Sequence, residues 1–161
     1  MAFQLISDDL KDGGTMPEAH VFNGMGFHGA NLSPHLKWSG APAGTRSFVL
    51  TLYDPDAPTG SGWWHWVVAN IPATTNELPR GSGNGQGGLP RGAVEGRTDY
   101  GSAGYGGPAP PPGKPHRYIF TLYALKVDHI DVNESSSGAM AGFMTRMNAL
   151  DSASLTVHYG R

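Results

Sequence analysis

The sequence predicts a mainly β protein: two antiparallel sheets packed as a sandwich, with one or two peripheral helices, in a single domain over residues 1–161. Three observations carry this. Two arms of alternating residues, Ser47 to Tyr53 and Trp64 to Ile71, flank a Pro- and Gly-rich turn. His116 to Lys126 is apolar on both faces, as a central sandwich strand is. The 24 glycines and 13 prolines fall between apolar runs, which fits many loops joining short strands.

Composition narrows the function classes. Apolar residues make up 39% and charged residues 15%, which is globular and not disordered. A net charge of −2 gives no basic field for nucleic acid or acidic membrane. With no cysteine, disulfides and thiolate chemistry are excluded, and a zinc site would need His and carboxylate ligands. The N-terminus has no signal-like run, and no segment reaches the roughly 18 apolar residues of a membrane span. The expected location is the cytoplasm.

In chain order, Phe3 to Ser7 reads as a short strand and Asp8 to Glu18 as a loop. His20 to Phe22 reads as a brief strand, Gly24 to Pro34 as loop, and Leu36 to Trp38 as a strand ended by Gly40 and Pro42. In the first arm Phe48, Leu50 and Leu52 share a face that Asp54 continues. In the second, strict alternation puts His65 on one face with Val67 and Ala69. Ala73 to Gly101 is mostly irregular. Its Gly83-Asn-Gly-Gln-Gly-Gly88 matches GxGxxG in letters only, because no strand precedes it and Pro90 stands where the helix should begin. Tyr100 to Pro115 is expected to be a rigid structured loop. Ser135 to Asn148 is the one convincing helix, with an N-cap among Ser135, Ser136 and Ser137. Its Met140, Phe143, Met144 and Met147 follow i, i+3, i+4, i+7 and are expected to face the core. Leu155 to Tyr159 is the last strand. Trp64, Trp66, Tyr123 and Phe143 read as packing.

Asp54, His65, His116 and Tyr118 each stand at or near the end of an apolar face, on three strands. Two imidazoles can donate charge-assisted bonds to a phosphate, worth roughly 1.5–3 kcal/mol each. Tyr118 adds a neutral donor, and the Gly104–Gly107 turn could add backbone N–H groups. Asp54 would accept a hydrogen bond from a histidine N–H and fix its tautomer. On that basis anion affinity is expected to fall as pH rises through the histidine range, about 6–7. The rival reading is a metal-assisted or His/Asp-based hydrolase in the same pocket. Ser61 lies in a Gly-Ser-Gly turn without a GxSxG motif, so a serine nucleophile is disfavoured.

DPDAP at 54–58, Trp-x-His at 63–65 and GP…HRY at 107–118 resemble the phosphatidylethanolamine-binding family, in its bacterial Raf-kinase-inhibitor-like branch. The resemblance runs from SPHLKW at 33–38 to the terminal Tyr-Gly-Arg. It implies a larger and a smaller antiparallel sheet with peripheral helices, and a pocket for phosphate or phosphoethanolamine-like head groups. It implies ligand-binding roles for Asp54, Asp56, Pro58, Trp63, His65, Gly107, Pro108, His116 and Tyr118, and a cis peptide at Ala57–Pro58. No catalytic residue, metal or cofactor is implied. Expected partners are a small anionic ligand, a kinase or serine protease, and a second copy in a homodimer; nucleic acid and stable membrane insertion are not. Eukaryotic relatives carry a further C-terminal helix over the pocket, so a more open pocket is expected here. The Pro-rich loop also differs from theirs, so recognition of a eukaryotic kinase carries over poorly.

Overall fold

The computed structural model describes residues 2–85 and 87–161. Among the described residues eight strands run β1 (Gln4–Ile6), β2 (Leu36–Ser39), β3 (Ser47–Asp54), β4 (Trp63–Pro72), β5 (Glu77–Leu78), β6 (Val94–Glu95), β7 (His116–Leu125) and β8 (Ala149–Tyr159), with one α-helix, α1 (Gly138–Asn148), before the last. They form a three-stranded sheet β1-β2-β5 and a five-stranded sheet β6-β4-β3-β7-β8. Every strand pairing within them is antiparallel.

The core lies between the sheets. Leu36, Trp38 and Leu78 of the small sheet meet Leu50, Leu52, Trp66, Phe120 and Leu122 of the large one. Full burial of such a side chain contributes roughly 1.5–3 kcal/mol. A second cluster covers the outer face of the large sheet, where Val49, Val67, Ala69 and Leu125 pack with Ile130, Val132 and Ala141. Strand β7 lies between β3 and β8, interior as its two apolar faces predict. The Met140, Phe143 and Met147 stripe does not face the core: their side chains stand 51, 63 and 63% exposed.

The helix instead buries Gly138, Ala141 and Thr145, with Met144 partly covered. The reason is close approach. A Cβ on Gly138 would lie 2.3 Å from Trp64 Cγ, so α1 sits on the sheet through its small residues and its large ones are turned out. Phe143 is therefore not packing, whereas Trp66 is fully buried and Trp64 and Tyr123 pack in the outer cluster.

Other expectations are also corrected. The helix begins at Gly138, three residues late, because Ser137 is the residue whose side chain caps Met140 N–H. Strand β8 starts at Ala149 and is longer than the alternation of Leu155 to Tyr159 suggests, because β7 pairs along nearly its whole length. Glu18–His20 is a 3₁₀ turn where a strand from His20 was expected; the His20 N–H bonds back to Pro17. Of the glycine-rich run, Ser82–Asn84 is a 3₁₀ turn and Gln86 lies outside the described residues.

Candidate functional site

The DPDAP turn is built by Asp54. Its Oδ1 accepts the Asp56 N–H at 2.8 Å, an Asx turn that reverses the chain after β3. The Thr59 N–H then bonds to the Ala57 carbonyl at 2.8 Å. All described peptide bonds are trans, Ala57–Pro58 included, which corrects the cis expectation. These two side-by-side bonds already close the turn, so the less favourable isomer is not required. Gly62 returns the chain at φ 72°, where a Cβ would meet Tyr53 Oη at 2.3 Å.

Strand β4 then departs from alternation. Leu52 pairs with Trp66 and Tyr53 with Trp64, so His65 is the extra residue of a β-bulge. Bulges re-aim side chains. Val67 and Ala69 point to the outer cluster, but His65 does not join them. Its ring stands edge-on to Tyr118 at 5.3 Å and to Tyr100 at 5.6 Å, on the side where Asp54 lies. The shared-face expectation for His65 is thus overturned, and the overturning is what brings His65 to the site.

The result is a cavity of about 150 Å³. Six of the nine expected residues line it: Asp54, Pro58, Trp63, His65, His116 and Tyr118. The floor, Asp54, His65, His116 and Tyr118, is buried, and the mouth, including Met25, Pro58 and Pro111, is exposed. Asp56 lies outside the cavity wall because Arg117 holds it. The Arg117 backbone N–H and Nε donate to Asp56 Oδ2 at 2.8 and 3.0 Å, and an Nη donates to Oδ1 at 2.9 Å. The guanidinium hydrogen bonds and then the backbone one hold this carboxyl down to about 2.

Gly107 and Pro108 are buried behind the wall. Three of the four N–H groups expected to reach a ligand are already committed: Tyr105 to the Gly83 carbonyl, Gly106 to the His65 carbonyl, and Gly107 to Asn31 Oδ1 at 2.7 Å. A Cβ on Gly107 would lie 2.2 Å from the His20 carbonyl oxygen. Gly107 thus serves close packing of two backbones and does not line the cavity.

Each imidazole is fixed through Nδ1. His116 Nδ1–H donates to Asp54 Oδ2 at 2.7 Å, and His65 Nδ1–H donates to the Gly106 carbonyl at 2.7 Å. In both rings Nε2 remains for the cavity. Asp54 therefore orients His116, as expected, and not His65. Burial pushes the His65 imidazole down to about 4, with the Gly106 carbonyl and Asp54 opposing more weakly. His65 is neutral near pH 7, and in that form its Nε2 is an acceptor. Burial first, and the Asp54 charge second, raises the Tyr118 and Tyr100 phenols, so both remain donors.

Tyr100 is the main residue that sequence reasoning missed. It stacks on Phe22 at 4.3 Å, meets Trp63 edge-on at 5.3 Å, and its hydroxyl donates to the Gly107 carbonyl at 2.7 Å. A tyrosine opening the glycine-rich run YGSAGYGG was the available signal. Among the described residues no group of three or more His, Asp or Glu side chains is placed to share a metal ion. No helix among them is long and apolar enough to cross a membrane.

The family model for phosphatidylethanolamine-binding protein matches residues 6–160. The chain is 58% identical over 156 residues to UPF0098 protein YbhB of Escherichia coli, covering 97% of this chain and 99% of that protein. The crystal structure of E. coli YbcL superposes with a TM-score of 0.96 at 52% identity, covering 99% of this chain and 98% of that one. A Chlamydia trachomatis homolog, CT736, matches at 29% identity and TM-score 0.82, with 99% and 98% coverage. With the sandwich, the DPDAP turn and the His-lined cavity on one chain, this protein belongs to the phosphatidylethanolamine-binding protein family.

Proposed function

We propose that the cavity binds a small anion, phosphate or the phosphate end of a monoester such as phosphoethanolamine, as a binding site without a chemical step. One observation carries the reading. Two imidazoles from different strands, each fixed through Nδ1, present Nε2 to one small cavity beside the Tyr118 phenol. The volume suits a head group and falls well below the roughly 300–1,000 Å³ of a drug-sized ligand site.

Asp54 places a carboxyl group on the cavity floor, so an anion is best accommodated there together with a proton. The proton resides on the phosphate, facing a neutral Nε2, or on an imidazole facing the anion. Linkage then sets the sign: affinity weakens as pH rises, by up to about ten-fold per unit above the pH where the complex holds one proton more than its parts. Calorimetric titration of phosphate at pH 6 and pH 8 tests this. The expected result is at least ten-fold weaker binding at pH 8, with proton uptake visible as a buffer-dependent heat. Equal affinities at the two pH values count against it.

A homodimer is part of this proposal, and the turned-out helix face supports it. Helix α1 has one charged residue, Arg146, and its exposed apolar stripe is the kind that marks association. The stripe is nearly palindromic about Phe143, with Met140 three residues before and Met147 four after. An antiparallel two-fold contact would set each Met140 against Met147 of the second copy. Light scattering should give a dimer for the native chain and a monomer for Phe143→Glu. A native monomer at tens of micromolar would remove this part.

A further inference from the structure

The head cavity does not end at its rim. Pro58, Pro111 and His116 also line a second, wider groove of about 630 Å³. Lys114, Arg117 and His158 stand along it. Among the described residues it contains one carboxylate, Asp56, and Arg117 already saturates both its oxygens. Lys114 forms no ion pair with any described residue. The groove therefore carries a net positive charge, supplied by Lys114.

The Lys114 backbone is also restricted. Lys114 precedes Pro115, which restricts its backbone to extended conformations, and it follows the prolines at 111 and 112. Only Pro115 separates it from His116, so their Cα atoms are at most about 7 Å apart. A group attached to an anion in the head cavity by one or two carbons would enter the groove that Lys114 lines.

We infer that this groove is a subsite for a second anionic group, so that the favoured ligand is a phosphomonoester bearing a nearby carboxylate or second phosphate, in preference to a zwitterion. This rests on the anion-site reading and makes it more specific. An ethanolamine ammonium would meet Lys114 as a like charge, and Asp56 does not offset this because Arg117 neutralises it.

A matched pair of probes tests the inference. Phosphoglycolate and phosphoethanolamine have nearly the same length and differ in the sign of the tail. At low salt, phosphoglycolate should bind the native protein about three- to ten-fold more tightly, the range expected when one exposed attraction replaces one repulsion. Lys114→Ala should bring the two affinities within about two-fold, and Lys114→Glu should reverse their order. Lys114 is exposed, and circular dichroism would verify that both variants fold. Equal native affinities, or a preference that survives Lys114→Glu, overturns the subsite while phosphate itself still binds. Failure of inorganic phosphate to bind the native protein overturns the anion-site reading and the subsite together.

Discussion

Replacing His116 by alanine is expected to destabilise the unliganded protein by about 2–3 kcal/mol at pH 7 and to abolish measurable phosphate binding. Asp54 is 2% exposed and His116 8%, and their bond is 2.7 Å long. Removing one member of a buried charge-bearing pair leaves the other without compensation, which commonly costs about 3–5 kcal/mol. Asp54 keeps the Asp56 N–H at 2.8 Å, which places the loss toward the lower end. The Asp54→Asn/His116→Ala double variant removes the stranded charge. It should recover at least half the stability lost by the single His116 variant. Urea unfolding of the four forms gives the coupling. Additive single effects would show that the pair is not coupled, and that its proximity is incidental.

Acid should weaken the fold through His65. Its folded value is about 4 against 6.5 for the free group. Between these values the unfolded chain binds more protons than the folded one. The stabilisation from a neutral His65 is therefore complete above about pH 6.5 and is lost as pH falls through 4, a change of about 3 kcal/mol. Asparagine at this position can place an N–H where His65 Nδ1–H meets the Gly106 carbonyl, and it does not titrate. Between pH 7 and pH 4, the native protein should lose about 3 kcal/mol more than His65→Asn. Parallel stability curves for the two would contradict the buried neutral imidazole.

Much of the site was legible because local patterns reported it. Asp54 terminates the Leu50 and Leu52 face, and His116 and Tyr118 share the Phe120 face, as alternation requires. The His65 bulge was not legible, because one extra residue breaks the period of two without any marker in the sequence. It brings His65 to the cavity despite the face that alternation assigned it. The helix stripe misled for a different reason. Periodicity identifies an apolar face but not which face packs, and here Gly138 and Ala141 allow an approach that Met140 and Phe143 do not. Tyr100 and the Asn31–Gly107 bond depend on segments far apart in the chain, the latter 76 residues apart, and no local pattern encodes such contacts.

The most direct test follows ring nitrogens during a phosphate titration. The chain has seven histidines. In long-range proton–nitrogen NMR spectra at pH 6.5, saturating phosphate should shift the Nε2 signals of His65 and His116. The Nδ1 signals of these two rings should keep the tautomers fixed by Gly106 and Asp54, and the signals of His20, His28, His35 and His129 should stay where they are. Shifts confined to surface histidines, with His65 and His116 unmoved, would contradict the account.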